Sequence, residues 1–141
     1  MSIELATPTF SNEQICAHRG ASGSYPENTR AAFDAAASVG AGWIETDVQC
    51  LADGELVIFH DDHLGRTASG SAKVSLLSWP DMVGLDIGGW KDDAFASERP
   101  LRFRPPVLSS PAPSAASSGS WDGVAAIELQ GLWWHCLQLV G

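Results

Sequence analysis

The sequence predicts an α/β protein that opens on a parallel βα unit. Three observations point there. An apolar run, an Ala-rich amphipathic stretch and a second apolar run follow one another within residues 14–48. The order strand, helix, strand is that of a parallel crossover. Polar residues of catalytic type sit at the ends of the apolar runs, where βα folds place their sites.

Residues 14–18 form the first apolar run and end on His18, as a buried strand would. Residues 20–27 are rich in Gly, Ser and Pro and read as a loop. Asn28 or Thr29 then caps a helix over about residues 29–39, because a short oxygen side chain accepts from the first free N–H groups. Ala32, Phe33 and Ala36 share one face of that helix, and Gly40 and Gly42 break it. A second strand is expected over 43–48. Asp53-Gly54 is a turn signal, so this strand should run through a hairpin into a third over 56–59, which His60 closes. Residues 62–72 read as a loop. Ser78-Trp79-Pro80 reads as a capped helix start reaching about Gly84, and Gly88-Gly89-Trp90 begins another loop.

The texture changes after about Pro100. Residues 105–120 hold four prolines and six serines, a linker-like composition. A short apolar run resumes at 124–129. The expected organisation is thus a domain part over 14–104, a Pro/Ser-rich segment over 105–123 and a divergent tail over 124–141 with one strand. A complete (β/α)8 barrel takes about 250 residues, so 141 residues are material for about half of one.

Composition bounds the function. Apolar residues make up 45% of the chain and charged residues 18%, as in soluble globular proteins. A net charge of −9 speaks against binding nucleic acid or an anionic membrane, which takes a basic face. No stretch reaches the roughly 18 apolar residues of a membrane span. The first residues lack a basic segment followed by an apolar run, so no signal peptide is read and a cytoplasmic location is expected. Cys16, Cys50 and Cys136 lack metal-ligand spacing and are expected to be reduced, mostly buried thiols.

Glu45 and Asp47 stand two apart on the second strand and therefore project from one face. Two like charges beside apolar neighbours call for something positive between them. A hard cation such as Mg²⁺ or Ca²⁺ would answer with oxygen ligands. A solvated strand face or ion pairs to arginine are the alternatives. His18 ends the first strand and Arg19, whose fork of donors suits a phosphate, follows it. His60-Asp61 ends the third strand, and a histidine there can move protons near neutral pH. Singly, each feature is better read as structural or solvent-facing. Together, two histidines, two carboxylates and an arginine form an inventory for cleaving a phosphodiester.

The runs AHRGASGSYPENTRAAFDAA and IETDVQCLADGELVIFHDDHLGRT resemble the opening of the glycerophosphodiester phosphodiesterase family. The likeness covers about residues 14–100. It implies a TIM-barrel-type fold and metal-dependent hydrolysis of small glycerophosphodiesters to glycerol 3-phosphate and an alcohol. It also implies roles: His18 as base, His60 as acid, Arg19 on the phosphate, and Glu45 and Asp47 on Mg²⁺ or Ca²⁺. Glu27 and Asn28, in the Pro-Glu-Asn-Thr segment, would order the loop near the site. The family's third metal carboxylate comes from a run like Asn-Ile-Glu-Ile-Lys. Glu128, in Ala126-Ile127-Glu128-Leu129-Gln130, is the candidate, without the flanking Asn and Lys.

The missing strands suggest a truncated or frame-shifted product. The alternative is a short variant that pairs with another copy, since half a barrel leaves an open edge and exposed core faces. Two functional alternatives accompany the main reading: a catalytically inactive remnant of the family, and phospholipase D-like lipid cleavage.

Overall fold

The computed structural model describes residues 14–104, 124–125 and 137–139. Strand β1 (Cys16–His18) leads through a loop into helix α1 (Arg30–Ser38). The helix starts where expected: Thr29 Oγ1 accepts from the N–H of Ala32 at 3.2 Å and donates to the Pro26 carbonyl at 2.6 Å. Ala32, Phe33 and Ala36 are the buried face. The chain then enters β2 (Trp43–Cys50), parallel to β1 in the register Cys16 to Trp43 and His18 to Glu45.

Beyond that pairing β2 continues into the hairpin. Strand β3 (Leu56–Ile58) runs antiparallel to its second half, with Val48 opposite Ile58 and Cys50 opposite Leu56. The turn closes with Leu51 N–H on the Glu55 carbonyl at 2.8 Å. Gly54 takes φ +81 there, a left-handed conformation in which a Cβ is strained. A short second helix, α2 (Trp79–Met82), has the expected Ser78 start, closed by a capping box with Asp81, and ends earlier than the composition suggested. Strand β4 (Leu101–Phe103) pairs antiparallel with β3. Strands β5 (Val124–Ala125) and β6 (Leu137–Leu139) pair parallel with β4 and β2. Of the apolar run at 124–129 only Val124–Ala125 is described, as β5, and β6 is a strand that hydropathy did not single out. The sheet is mixed rather than purely parallel.

The hairpin is buried on both faces because successive side chains point to opposite sides. Val57 and Phe59 join Leu51, Ala68, Val74, Met82 and Ile87 on one side. Ile58 joins Phe33, Val48 and Phe103 on the other. Helix α1 thus covers one face, and the segment after the hairpin covers the other. Two expectations are corrected: β1, read as a buried strand, is exposed at Cys16 and His18 and only half-buried at Ala17, and the described thiols are not buried. Cys16 and Cys50 are exposed, not buried. Cys16 shares its side of β1 with exposed His18, and Cys50 ends β2 at the hairpin. Cys136 lies outside the described residues.

Candidate active site

The turn after β1 sets the geometry. Arg19 has φ 57 and Gly20 φ 81, so the chain reverses immediately after His18. A Cβ on Gly20 would stand 2.7 Å from the Ala32 carbonyl carbon, so glycine alone lets the turn lie against α1. Arg19 N–H donates to the Glu45 carbonyl at 2.9 Å and the Arg19 carbonyl accepts from Asn28 N–H at 3.1 Å. The loop is thereby tied to β2 at one end and to the helix start at the other.

Glu45 and Asp47 face the same side of β2, as their spacing predicted. Their surroundings differ. The Asp47 side chain is 4% exposed and meets Arg19 Nε at 3.0 Å, an ion pair off the hydrogen-bonding angle. Asn28 Nδ2 also donates to Asp47 Oδ2 at 3.1 Å, and Asn28 Oδ1 accepts from Thr46 Oγ1 at 2.8 Å. The arginine ion pair, one of the alternatives to a cation, is present at Asp47. Glu45 is different: its Oε2 is buried without a hydrogen bond, and His18 Nε2 stands 3.7 Å away.

The hairpin returns His60 to this level. Phe59 N–H donates to the Asp47 carbonyl at 3.0 Å, which extends the β2–β3 ladder to the carboxylate pair. Gln49 then holds the turn. Its Nε2 lies 3.2, 3.1 and 2.8 Å from the carbonyls of Phe59, His60 and Asp61. His60 Nδ1 is 2.6 Å from Asp61 Oδ1. Arg66 forks onto both Asp61 and Glu27, and Glu27 Oε1 also accepts from Arg19 Nη1 at 3.0 Å. These bonds to Arg66 are the main reason the carboxyls of Glu27 and Asp61 are held below their ordinary values, against the opposing effect of burial. The Arg66 guanidinium is correspondingly raised, chiefly by Glu27 and then by Asp61. Glu27, Asn28, Phe59, His60, Thr67 and Ile87 line a cleft at this junction.

Of the residues the sequence singled out, His18, Arg19, Glu27, Asn28, Glu45, Asp47 and His60 lie on the segments that meet here. Glu128 lies outside the described residues. Among the described residues no cluster of three or more His, Cys, Asp or Glu is grouped as a metal would require. Sequence reasoning passed over Gln49 and Arg66 and left Asp61 without a role. Gln49 had a signal: it continues the Glu45, Asp47 spacing along one strand face. Arg66 is the one cation between Arg30 and Lys73, in a loop otherwise read as featureless.

A model of the glycerophosphoryl diester phosphodiesterase family matches residues 18–109, the stretch that carries this whole constellation. The chain belongs to that family. A glycerophosphodiester phosphodiesterase of Caldanaerobacter subterraneus is 44% identical over 85 residues, which are 60% of this chain and 35% of the relative. Among solved structures, a glycerophosphodiester phosphodiesterase from Agrobacterium tumefaciens is 44% identical with a TM-score of 0.60, covering 62% of this chain and 38% of that one. A phosphodiesterase from Oleispira antarctica, in complex with its product sn-glycerol-3-phosphate, is 40% identical with a TM-score of 0.61, covering 63% and 36%. The chain spans about a third of the length of these relatives. The expected α/β, TIM-barrel-type fold class is that of the family's solved structures, and the described residues hold its opening βα unit and hairpin.

Proposed function

We propose that the chain carries the catalytic opening of an enzyme that hydrolyses glycerophosphodiesters to glycerol 3-phosphate and an alcohol. The carrying observation is that His18 Nε2 stands 3.7 Å from Glu45 Oε2, while His60 is linked through Asp61, Arg66, Glu27 and Arg19 to Asp47. The product complex of the Oleispira antarctica phosphodiesterase supports the substrate class.

In this reading His18 takes the proton from the substrate's own glycerol hydroxyl as it attacks phosphorus. His60 gives a proton to the oxygen of the departing alcohol, with Nδ1 held by Asp61 and Nε2 presented to substrate. Water then opens the cyclic phosphate to glycerol 3-phosphate. Arg19 has Nη1 and Nε committed to Glu27 and Asp47, which leaves Nη2 for the phosphate. Glu27 and Asn28 order the loop around it.

Glu45 carries the observation that favours a hard cation. Glu45 Oε2 is a buried carboxylate oxygen with no hydrogen-bond donor of its own, and such an orphan is costly without a positive partner. Glu45 and Asp47 would hold Mg²⁺ or Ca²⁺, with Glu128 as the third carboxylate. Such an ion supplies Lewis-acid stabilisation of the charge on phosphorus. No helix of the described residues is long and apolar enough to cross a membrane, and a cytoplasmic place of action accompanies this reading.

The test is direct. Purified chain with glycerophosphocholine and Mg²⁺ or Ca²⁺ should release glycerol 3-phosphate, and the His18→Ala variant should not. Equal release by the two proteins, or none from either, sinks the reading of this chain as an active enzyme.

A further inference from the structure

Arg66 connects the two halves of the site through an unbroken chain of contacts. Its Nε and Nη2 donate to Asp61 Oδ2 at 2.7 Å and Oδ1 at 2.9 Å. Its Nη1 and Nη2 donate to Glu27 Oε2 at 2.9 Å and Oε1 at 2.7 Å. The Asp61 Oδ1 that accepts from Arg66 is the atom 2.6 Å from His60 Nδ1. The Glu27 Oε1 that accepts from Arg66 also accepts from Arg19 Nη1. The chain therefore runs His60, Asp61, Arg66, Glu27, Arg19, Asp47.

Magnitudes show what this arrangement is for. The Arg66 side chain is 45% exposed. Isolated ion pairs at such exposure contribute little to stability. Geometry is another matter. A planar fork that engages two carboxylates at once leaves neither free to rotate, and lysine, a single point charge, cannot do the same. Asp61 precedes a loop and has its backbone carbonyl held by Gln49, so Arg66 supplies the constraint on its side chain.

We propose that Arg66 is a positioning residue: it locks the Asp61 carboxylate onto His60 Nδ1, so that Nε2 faces the substrate, and ties that pair to the loop bearing Arg19. The proposal rests on the reading of His60 as the acid of the reaction.

The ring nitrogens of His60 test it without turnover. The full chain is labelled with ¹⁵N at its four histidines. His60 is assigned by its loss in His60→Gln, and spectra are taken at a pH of about 8.5, where an imidazole is ordinarily neutral. Long-range ¹H–¹⁵N couplings then report which nitrogen carries the proton. In the native chain the Nδ1–H form of His60 should dominate. In Arg66→Ala and in Arg66→Lys it should become the minor form, while the His63 signals stay where they are. Native-like His60 signals in Arg66→Ala would overturn the proposal, as would a native His60 that carries its proton on Nε2. Should Arg66→Ala fail to fold, Arg66→Lys decides by the same criterion. Failure of both to fold assigns Arg66 to stability and overturns the proposal too. A chain that shows the expected ring signature yet releases no glycerol 3-phosphate counts against the functional reading alone.

Discussion

Asn28 shows how much one residue of the site carries. Its backbone sits at φ 57, which asparagine tolerates better than most residues. Its buried amide meets Asp47 on one side and Thr46 on the other. Asn28→Ala removes both bonds, strands the buried Thr46 hydroxyl, leaves Asp47 to Arg19 alone and keeps the strained backbone. The expected cost is about 1–3 kcal/mol, read as a lowered denaturant midpoint with unchanged slope. Glu45 makes the opposite case, since its Oε2 lacks a donor, and the cation proposed above would supply the missing partner. Mg²⁺ or Ca²⁺ at about a hundredfold excess over Kd should add roughly 2.7 kcal/mol to the unfolding free energy. In Glu45→Gln the gain should shrink at the same metal concentration. An equal thermal shift in the two proteins would remove Glu45 from the ligand set.

At the scale of elements, the hairpin is the positioning device. Strand β2 pairs with β1 as far as Glu45 and then projects into the turn. The return strand brings Phe59 opposite Asp47, which sets the height at which His60 emerges. A slip of one residue would turn every side chain of β3 to the other face and carry His60 away. Gln49 guards against it by holding three successive carbonyls with one amide group. Gln49→Leu is expected to destabilise the chain by about 1–3 kcal/mol, because those carbonyls lose their donor. Hydrogen exchange should show the loosening concentrated in residues 59–61. Uniform protection across the hairpin in the variant would contradict the role given to Gln49.

Over the whole molecule, the acidic balance and the arginine network make stability depend on pH. Glu27 and Asp61 are both held below their ordinary values in the fold, mainly by Arg66. A carboxyl with a lowered folded-state value binds its proton more readily in the unfolded chain. Its contribution is therefore complete above the ordinary values of 4.5 and 3.8 and is lost as pH falls through the lower folded-state values. Melting temperature should fall as pH drops from about 5 to about 3. Glu27→Gln should give a shallower fall, and a parallel curve would mean that Glu27 contributes nothing to acid sensitivity.

The sequence by itself determined the parts whose information is local. The helix start at Thr29 follows from side-chain capping, the hairpin from Asp53-Gly54, and the shared face of Glu45 and Asp47 from strand periodicity. The family follows from the order of several short motifs, which needs no coordinates to see. The tertiary structure decided what depends on contacts between distant residues. Arg66 gains its place from Glu27, 39 residues earlier, and no local pattern encodes such a pairing. The different states of the two carboxylates were likewise invisible: spacing makes Glu45 and Asp47 neighbours, but only packing delivers Arg19 and Asn28 to one of them and leaves the other's Oε2 without a hydrogen bond. The exposure of Cys16 and Cys50 has the same origin, since burial depends on which element covers a face and a thiol's own preference does not decide that.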